Sequence, residues 1–90
     1  MWWEKIKELI DLGERIYNET SAYFSIDIST GTGTSNIYIM DKGFEMNAKY
    51  DGYYTLLFSD AQEEFNRRQF KKAKDHLLRL LGEEVDANDV

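Results

Sequence analysis

The stretch Tyr23-Phe24-Ser25-Ile26-Asp27-Ile28-Ser29 alternates strictly, so Phe24, Ile26 and Ile28 face one way and Ser25 and Asp27 the other. A strand of this kind buries one face and leaves the other to solvent, the habit of an antiparallel sheet. The next residues, Thr30-Gly31-Thr32-Gly33-Thr34-Ser35, form a flexible connection, after which Ile37 and Ile39 alternate with Tyr38 and Met40 in a second strand. Asp41-Lys42-Gly43 suits a three-residue hairpin loop with glycine in the left-handed position. It leads to Phe44, Met46, Ala48 and Tyr50 on alternate positions, a third strand. Asp51-Gly52 signals a tight turn, and Tyr53 to Phe58 is rich in β-formers but apolar at nearly every position. That last run reads as a fourth strand, central or covered on both faces.

Outside this core the period changes from two to 3.6. Trp2, Ile6, Leu9, Ile10, Gly13, Ile16 and Tyr17 mark one face of an amphipathic helix. Gly13 costs about 1 kcal/mol there relative to alanine, so a close approach to another backbone is expected at that point. Toward the C-terminus, Ser59 or Asp60 can cap a second helix, with Gln62 or Glu63 completing a capping box. Its apolar stripe is Phe65, Phe70, Ala73, Leu77, Leu80 and Leu81, and Gly82 stands where a C-terminal cap belongs. The expected fold is α+β: a helix, a four-stranded antiparallel meander and a helix, with both helices on the apolar face of the sheet. Residues 1–82 form the single domain, and 83–90 form an acidic tail expected to be disordered.

Ninety residues allow one core only. The aromatic fraction of 14% strengthens that core, since each ring buries a large area. The absence of cysteine excludes disulfides and thiolate zinc sites. Charge arrives by Glu4, which leaves no long apolar core for a signal peptide, and no apolar run approaches the ~20 residues of a membrane span. An intracellular, cytoplasmic protein with no membrane segment is expected. A net charge of −6 disfavours nucleic-acid backbones and anionic lipid.

Motifs for chemistry are sparse. The Gly31-Thr32-Gly33 loop lacks the glycine register and the Gly-Lys-Ser/Thr ending of a phosphate loop, and a strand follows it rather than a helix. His76 is the only histidine, and it stands at the edge of the apolar stripe with no nucleophile or carboxylate orienter indicated by spacing. Neither paired histidines nor a calcium-loop pattern is present, so no metal, no cofactor and no catalytic residue is expected. Asn18-Glu19-Thr20 matches a glycosylation acceptor, which has no use without secretion.

Three surfaces stand out instead. On the second helix Arg67, Arg68, Lys71, Lys72, Lys74 and Arg79 gather against one acid, Asp75, a face that could meet phosphates. Lys71-Lys72-Ala73-Lys74 and the helix–strands–helix order are similar to double-stranded-RNA-binding domains. Those domains, however, place their lysines where the helix opens, whereas about three turns precede them here. A solvated or internally paired face is therefore preferred, with nucleic-acid binding as the alternative. On the first helix Glu4, Glu8, Asp11 and Glu14 line an exposed row able to meet the Arg and Lys side chains of a nucleic-acid groove. Lys5, Lys7 and Arg15 interleave with this row, as on an ordinary helix surface. The second face of the sheet carries Tyr23, Tyr38, Met40 and Tyr53, residue types favoured at interfaces, which a protein partner or a second copy of the chain could cover.

In size, acidity and helix-flanked-sheet layout the chain resembles small inhibitors encoded by phages and mobile elements, including anti-CRISPR proteins. The resemblance rests on layout and charge and carries no functional residue across. It implies a non-enzymatic protein-binding module that occupies the nucleic-acid channel of a host defence nuclease. The alternatives are nucleic-acid binding through the second helix and a self-associating structural role, a homodimer, through the tyrosine face.

Overall fold

The computed structural model describes residues 2–83. Helix α1 (Trp2–Glu19) leads into strands β1 (Tyr23–Ser29), β2 (Thr34–Met40) and β3 (Gly52–Leu57). A 3-10 turn at Asp60–Gln62 then precedes helix α2 (Glu63–Leu80). The sheet is antiparallel in the order β1-β2-β3, with Ile26 opposite Ile37 and Ile37 opposite Tyr54.

This register puts Phe24, Ile26, Ile37, Ile39, Tyr54 and Leu56 on one face. Both helices pack against that face. Ile6, Leu9 and Ile16 of α1, Ile37, Ile39 and Leu56 of the sheet, and Phe70, Ala73 and Leu77 of α2 make one cluster, every member fully buried. Each such side chain contributes about 1.5–3 kcal/mol relative to exposure. The shortest extent of the molecule is 19 Å, the depth of one helix layer on one sheet.

The sheet has three strands, not the expected four. Residues 44–50, read as a strand from alternating Phe44, Met46, Ala48 and Tyr50, form a loop with a turn at its tip, where the Ala48 amide donates to the Glu45 carbonyl and Asn47 takes a left-handed φ of 67°. The reason lies in strand pairing: β1 and β3 occupy both edges of β2, so the segment between β2 and β3 cannot pair with β2 as a meander requires. Its ends are pinched together instead, by the Asp51 amide on the Ile39 carbonyl at 2.9 Å and the Asp41 amide on the Asp51 carboxylate at 2.7 Å. The run from Tyr53, expected to be central or doubly covered, is an edge strand with Tyr53 57% exposed.

Three local readings are refined. Gly13 meets a side chain rather than a backbone, because a Cβ there would lie 2.4 Å from the Phe24 ring. Ser59 caps the 3-10 turn through the Ala61 amide, and α2 itself begins after Gln62 without a side-chain cap. Phe65 is 37% exposed, and the buried stripe of α2 runs through Asn66, Phe70, Ala73, His76 and Leu77. Gly82, at φ 74°, closes α2 as expected. Of the segment expected as an acidic tail, residues 84–90 lie outside the described residues; Glu83 bonds Arg15 together with Glu19, which holds both carboxyls below the usual carboxylate range. No helix among the described residues is long and apolar enough to cross a membrane.

Candidate functional site

With both helices on one face, the opposite face of the sheet carries no second layer among the described residues. Side chains of one parity converge there: Tyr23, Ser25 and Asp27 from β1, Asn36 and Tyr38 from β2, Tyr53 and Thr55 from β3. The 41–51 loop adds two more rings. Phe44 lies 5.2 Å from Tyr23 between centroids, and Tyr50 lies 4.9 Å from Tyr38, which also meets Tyr53 at 5.2 Å. Tilted contacts of this kind are worth about 0.5–1.5 kcal/mol each beyond their buried area. The outer parts of the cluster remain in water: Phe44 is 62%, Tyr50 47% and Tyr53 57% exposed. These groups therefore form an uncovered aromatic patch on the surface of the described residues.

Hydrogen bonds hold the middle of the face. Tyr53 and Thr55 both donate to Asn36 Oδ1, at 3.2 and 2.8 Å. Burial is the main cause that pushes the Tyr38 phenol above its ordinary value, with Tyr53, Asp27 and Tyr50 adding to it.

The loop is anchored from the other side of the sheet by a three-residue chain. His76, 8% exposed, has its Nε2 2.6 Å from Asp41 Oδ1 and its Nδ1 2.8 Å from the Tyr54 hydroxyl. With its proton on Nε2 the ring donates to Asp41 and accepts from Tyr54, so all three groups are satisfied. Gly52 makes the room, since a Cβ there would sit 2.6 Å from Nδ1. The carboxylate and hydroxyl that spacing failed to indicate for His76 therefore exist, 35 and 22 residues away. The trio resembles a catalytic relay in its atoms but not in its electrostatics: burial chiefly raises the Tyr54 hydroxyl above its ordinary value, the reverse of nucleophile activation. Its bonds join the root of the loop to α2 and β3.

The other predicted residues are dispersed. Met40, expected on the open face, is 3% exposed and offers nothing to a partner. Glu4, Asp11 and Glu14 are exposed on α1, on the side opposite its buried stripe of Ile6, Leu9, Gly13 and Ile16. They point away from the sheet, so one flat partner cannot touch both the acidic row and the tyrosine face. Glu8 belongs to the row in sequence only, because it pairs with Lys74 at 2.7 Å.

Half of the basic face of α2 is engaged within the molecule. Arg67 pairs with Glu63, Lys71 with Asp75 and Lys74 with Glu8, while Lys74 and Lys5 also lie over the Phe70 ring. Two of the three lysines behind the similarity to double-stranded-RNA-binding domains are thus engaged. Arg68, Lys72 and Arg79 remain exposed. No group of three or more potential metal ligands occurs among the described residues.

Comparisons with protein-family models, with curated proteins and with solved structures find no match for this chain.

Proposed function

We propose that this protein is a non-enzymatic protein-binding module that engages its partner through the open face of its sheet. One observation carries the reading: Phe44, Tyr50 and Tyr53 stand exposed around a packed ring cluster, on a face that the described residues leave without a second layer. Apart from Asp41, which bonds His76, the charges of β1 and the 41–51 loop nearly balance, Asp27, Glu45 and Asp51 against Lys42 and Lys49, so the feature that selects the partner is apolar.

A second reading has its own support. The internal pairing of Arg67, Lys71 and Lys74 leaves the net −6 charge to dominate the outer field, and Glu4, Asp11 and Glu14 project from α1 without a partner among the described residues. That row suits an inhibitor, phage-encoded in type, that occupies the nucleic-acid channel of a nuclease.

One variant matrix separates the two. Proteins and nucleic acid retained from a lysate, before and after nuclease treatment, on the wild-type chain are compared with those retained by Phe44→Ser/Tyr53→Ser and by Glu4→Lys/Asp11→Lys/Glu14→Lys. Loss of a stoichiometric partner with the first variant and retention with the second supports the sheet-face reading. The opposite pattern transfers the function to α1, and recovery of nucleic acid alone abandons both in favour of α2.

A further inference from the structure

The two edges of the sheet are treated differently. On β3 the outward amides are capped by α2: Leu57 N–H donates to Asn66 Oδ1 at 2.8 Å, Asn66 Nδ2 donates back to the Leu57 carbonyl at 2.7 Å, and Thr55 N–H donates to Gln69 Oε1 at 3.0 Å. On β1 the described residues supply no such cover. It ends the sheet as a seven-residue strand in unbroken register, with no proline, lysine or bulge and Asp27 as its single charge. Soluble proteins guard their edges with those very devices, and an unguarded edge of this length is a template for another strand.

We infer that the outer edge of β1 is the dimer interface of this protein, pairing antiparallel with β1 of a second copy about a two-fold axis through Ile26. The strand is its own complement in that register. Thr55 and Leu57 turn their amides outward, so Tyr54 and Leu56 bond Ile37 and Ser35; by alternation Asn36 and Tyr38 bond β1 through Asp27 and Ser25. The outward groups of β1 are then those of Phe24, Ile26 and Ile28. A two-fold at Ile26 sets Ile26 against Ile26 and Phe24 against Ile28, each an outward pair that exchanges both backbone bonds. Asp27 falls opposite Ser25 of the other copy, so no like charges oppose each other across the ladder.

Side chains beside the edge agree with this. Ile28, on the helix-facing side, is 38% exposed at the strand end. On α1, Glu8 and Lys5 mark the flank turned to α2, and Ile10 and Tyr17 lie on the opposite flank, 38% and 84% exposed. Gly13, between them, rests on Phe24 of β1. A second copy added at β1 would cover Ile28, Ile10 and Tyr17 together and leave the aromatic faces of both copies open on the same side of a six-stranded sheet. The interface is therefore separate from the surface proposed for the partner.

Sedimentation equilibrium of the full chain over a concentration series tests the inference. The mass is expected to rise from 10.6 kDa toward twice that value. Ile28→Pro deletes an outward N–H without touching the bonds to β2, and Tyr17→Glu places charge at the covered flank; each substitution acts twice in a two-fold dimer and should weaken association by about tenfold or more. Circular dichroism and thermal melting confirm that each variant is folded, and Tyr17→Glu stands alone if Ile28→Pro is not. A monomer at every concentration overturns the inference. So does a dimer that survives these changes but dissociates with Phe44→Ser/Tyr53→Ser, which would move the interface to the tyrosine face.

Discussion

Asn66 and Leu57 bond each other twice, carboxamide to peptide, as two strand residues would. Asn66 is fully buried, so its side chain acts as a short piece of fourth strand supplied by a helix. Asn66→Leu keeps the volume but leaves the Leu57 amide and carbonyl without partners, and a buried unpaired group costs about 1–3 kcal/mol. A loss of roughly 2–4 kcal/mol in urea denaturation is expected. A loss below about 0.5 kcal/mol would mean that water replaces the carboxamide at no cost.

Gly13 and Phe24 give a second test. Alanine normally favours a helix interior over glycine by about 1 kcal/mol, but here its methyl would enter the Phe24 ring. Gly13→Ala should therefore destabilise, by about 1–3 kcal/mol, as overpacked cores do. In Gly13→Ala/Phe24→Leu the penalties should not add, since the smaller side chain removes the clash. Additive free energies would show that the ring moves aside freely.

Much of this fold is legible in the chain, and the illegible parts share a cause. Periodicity locates both helices, the strand at 23–29 and the half of β2 from Ile37, because each buries one face and the burial period is local, whereas Thr34 and Ser35 read as connection and the run from Tyr53 is marked by β-formers without alternation. The loop at 44–50 carries the same alternation as a strand, and only the pairing of β2 on both edges, a non-local fact, denies it the place beside β2 that a meander requires. A local clue existed in Asn47, a residue type that tolerates the left-handed conformation it adopts. Asn66, Gln69 and His76 also had a signal: they continue the i, i+3, i+4 rows of Phe70, Ala73 and Leu77, and polar residues on a core row seek buried partners. Their partners Leu57, Thr55, Tyr54 and Asp41 were not legible, since no spacing rule links a helix to a strand edge. Tyr23 and Tyr38 share one parity, as their alternation indicates, whereas the facing of the run from Tyr53 was ambiguous in sequence and the rings of Phe44 and Tyr50 come to the face through the loop.

Alkaline stability should follow two half-buried phenols. Tyr54 is raised by burial first, with Asp41 adding and Arg79 opposing, and Tyr38 is raised mainly by burial as well. A folded-state value above the unfolded one, about 10, means that the native chain holds these protons more tightly. Their contribution is complete below the unfolded value and is lost as pH rises through the folded values. Urea midpoints should therefore fall steeply above about pH 10. Tyr54→Phe should start lower at neutral pH, through loss of the bond to His76, and fall less steeply in the alkaline range. Parallel curves for the two proteins would assign the alkaline loss to other groups.

The bond between Asp41 and His76 links the core to the proposed binding face, so its removal should be felt at the loop before it is felt in the fold. Asp41 accepts from His76 at 2.6 Å and donates its amide to Asp51 at 2.7 Å, at the root of the segment that carries Phe44, Met46 and Tyr50. Asp41→Ala deletes the acceptor and should cost only about 0.5–1.5 kcal/mol globally, because the core cluster is untouched. Amide exchange at Gly43 and Asp51, whose N–H groups bond Met40 and Ile39, should accelerate by about tenfold while that of Ile37 changes little. Asp41→Asn keeps an acceptor oxygen for the Nε2 proton and should restore most of the protection. If the alanine variant leaves exchange at Gly43 unchanged, the aromatic loop is held by its ring contacts with Tyr23 and Tyr38 alone, and His76 serves only to fill the space beneath Gly52.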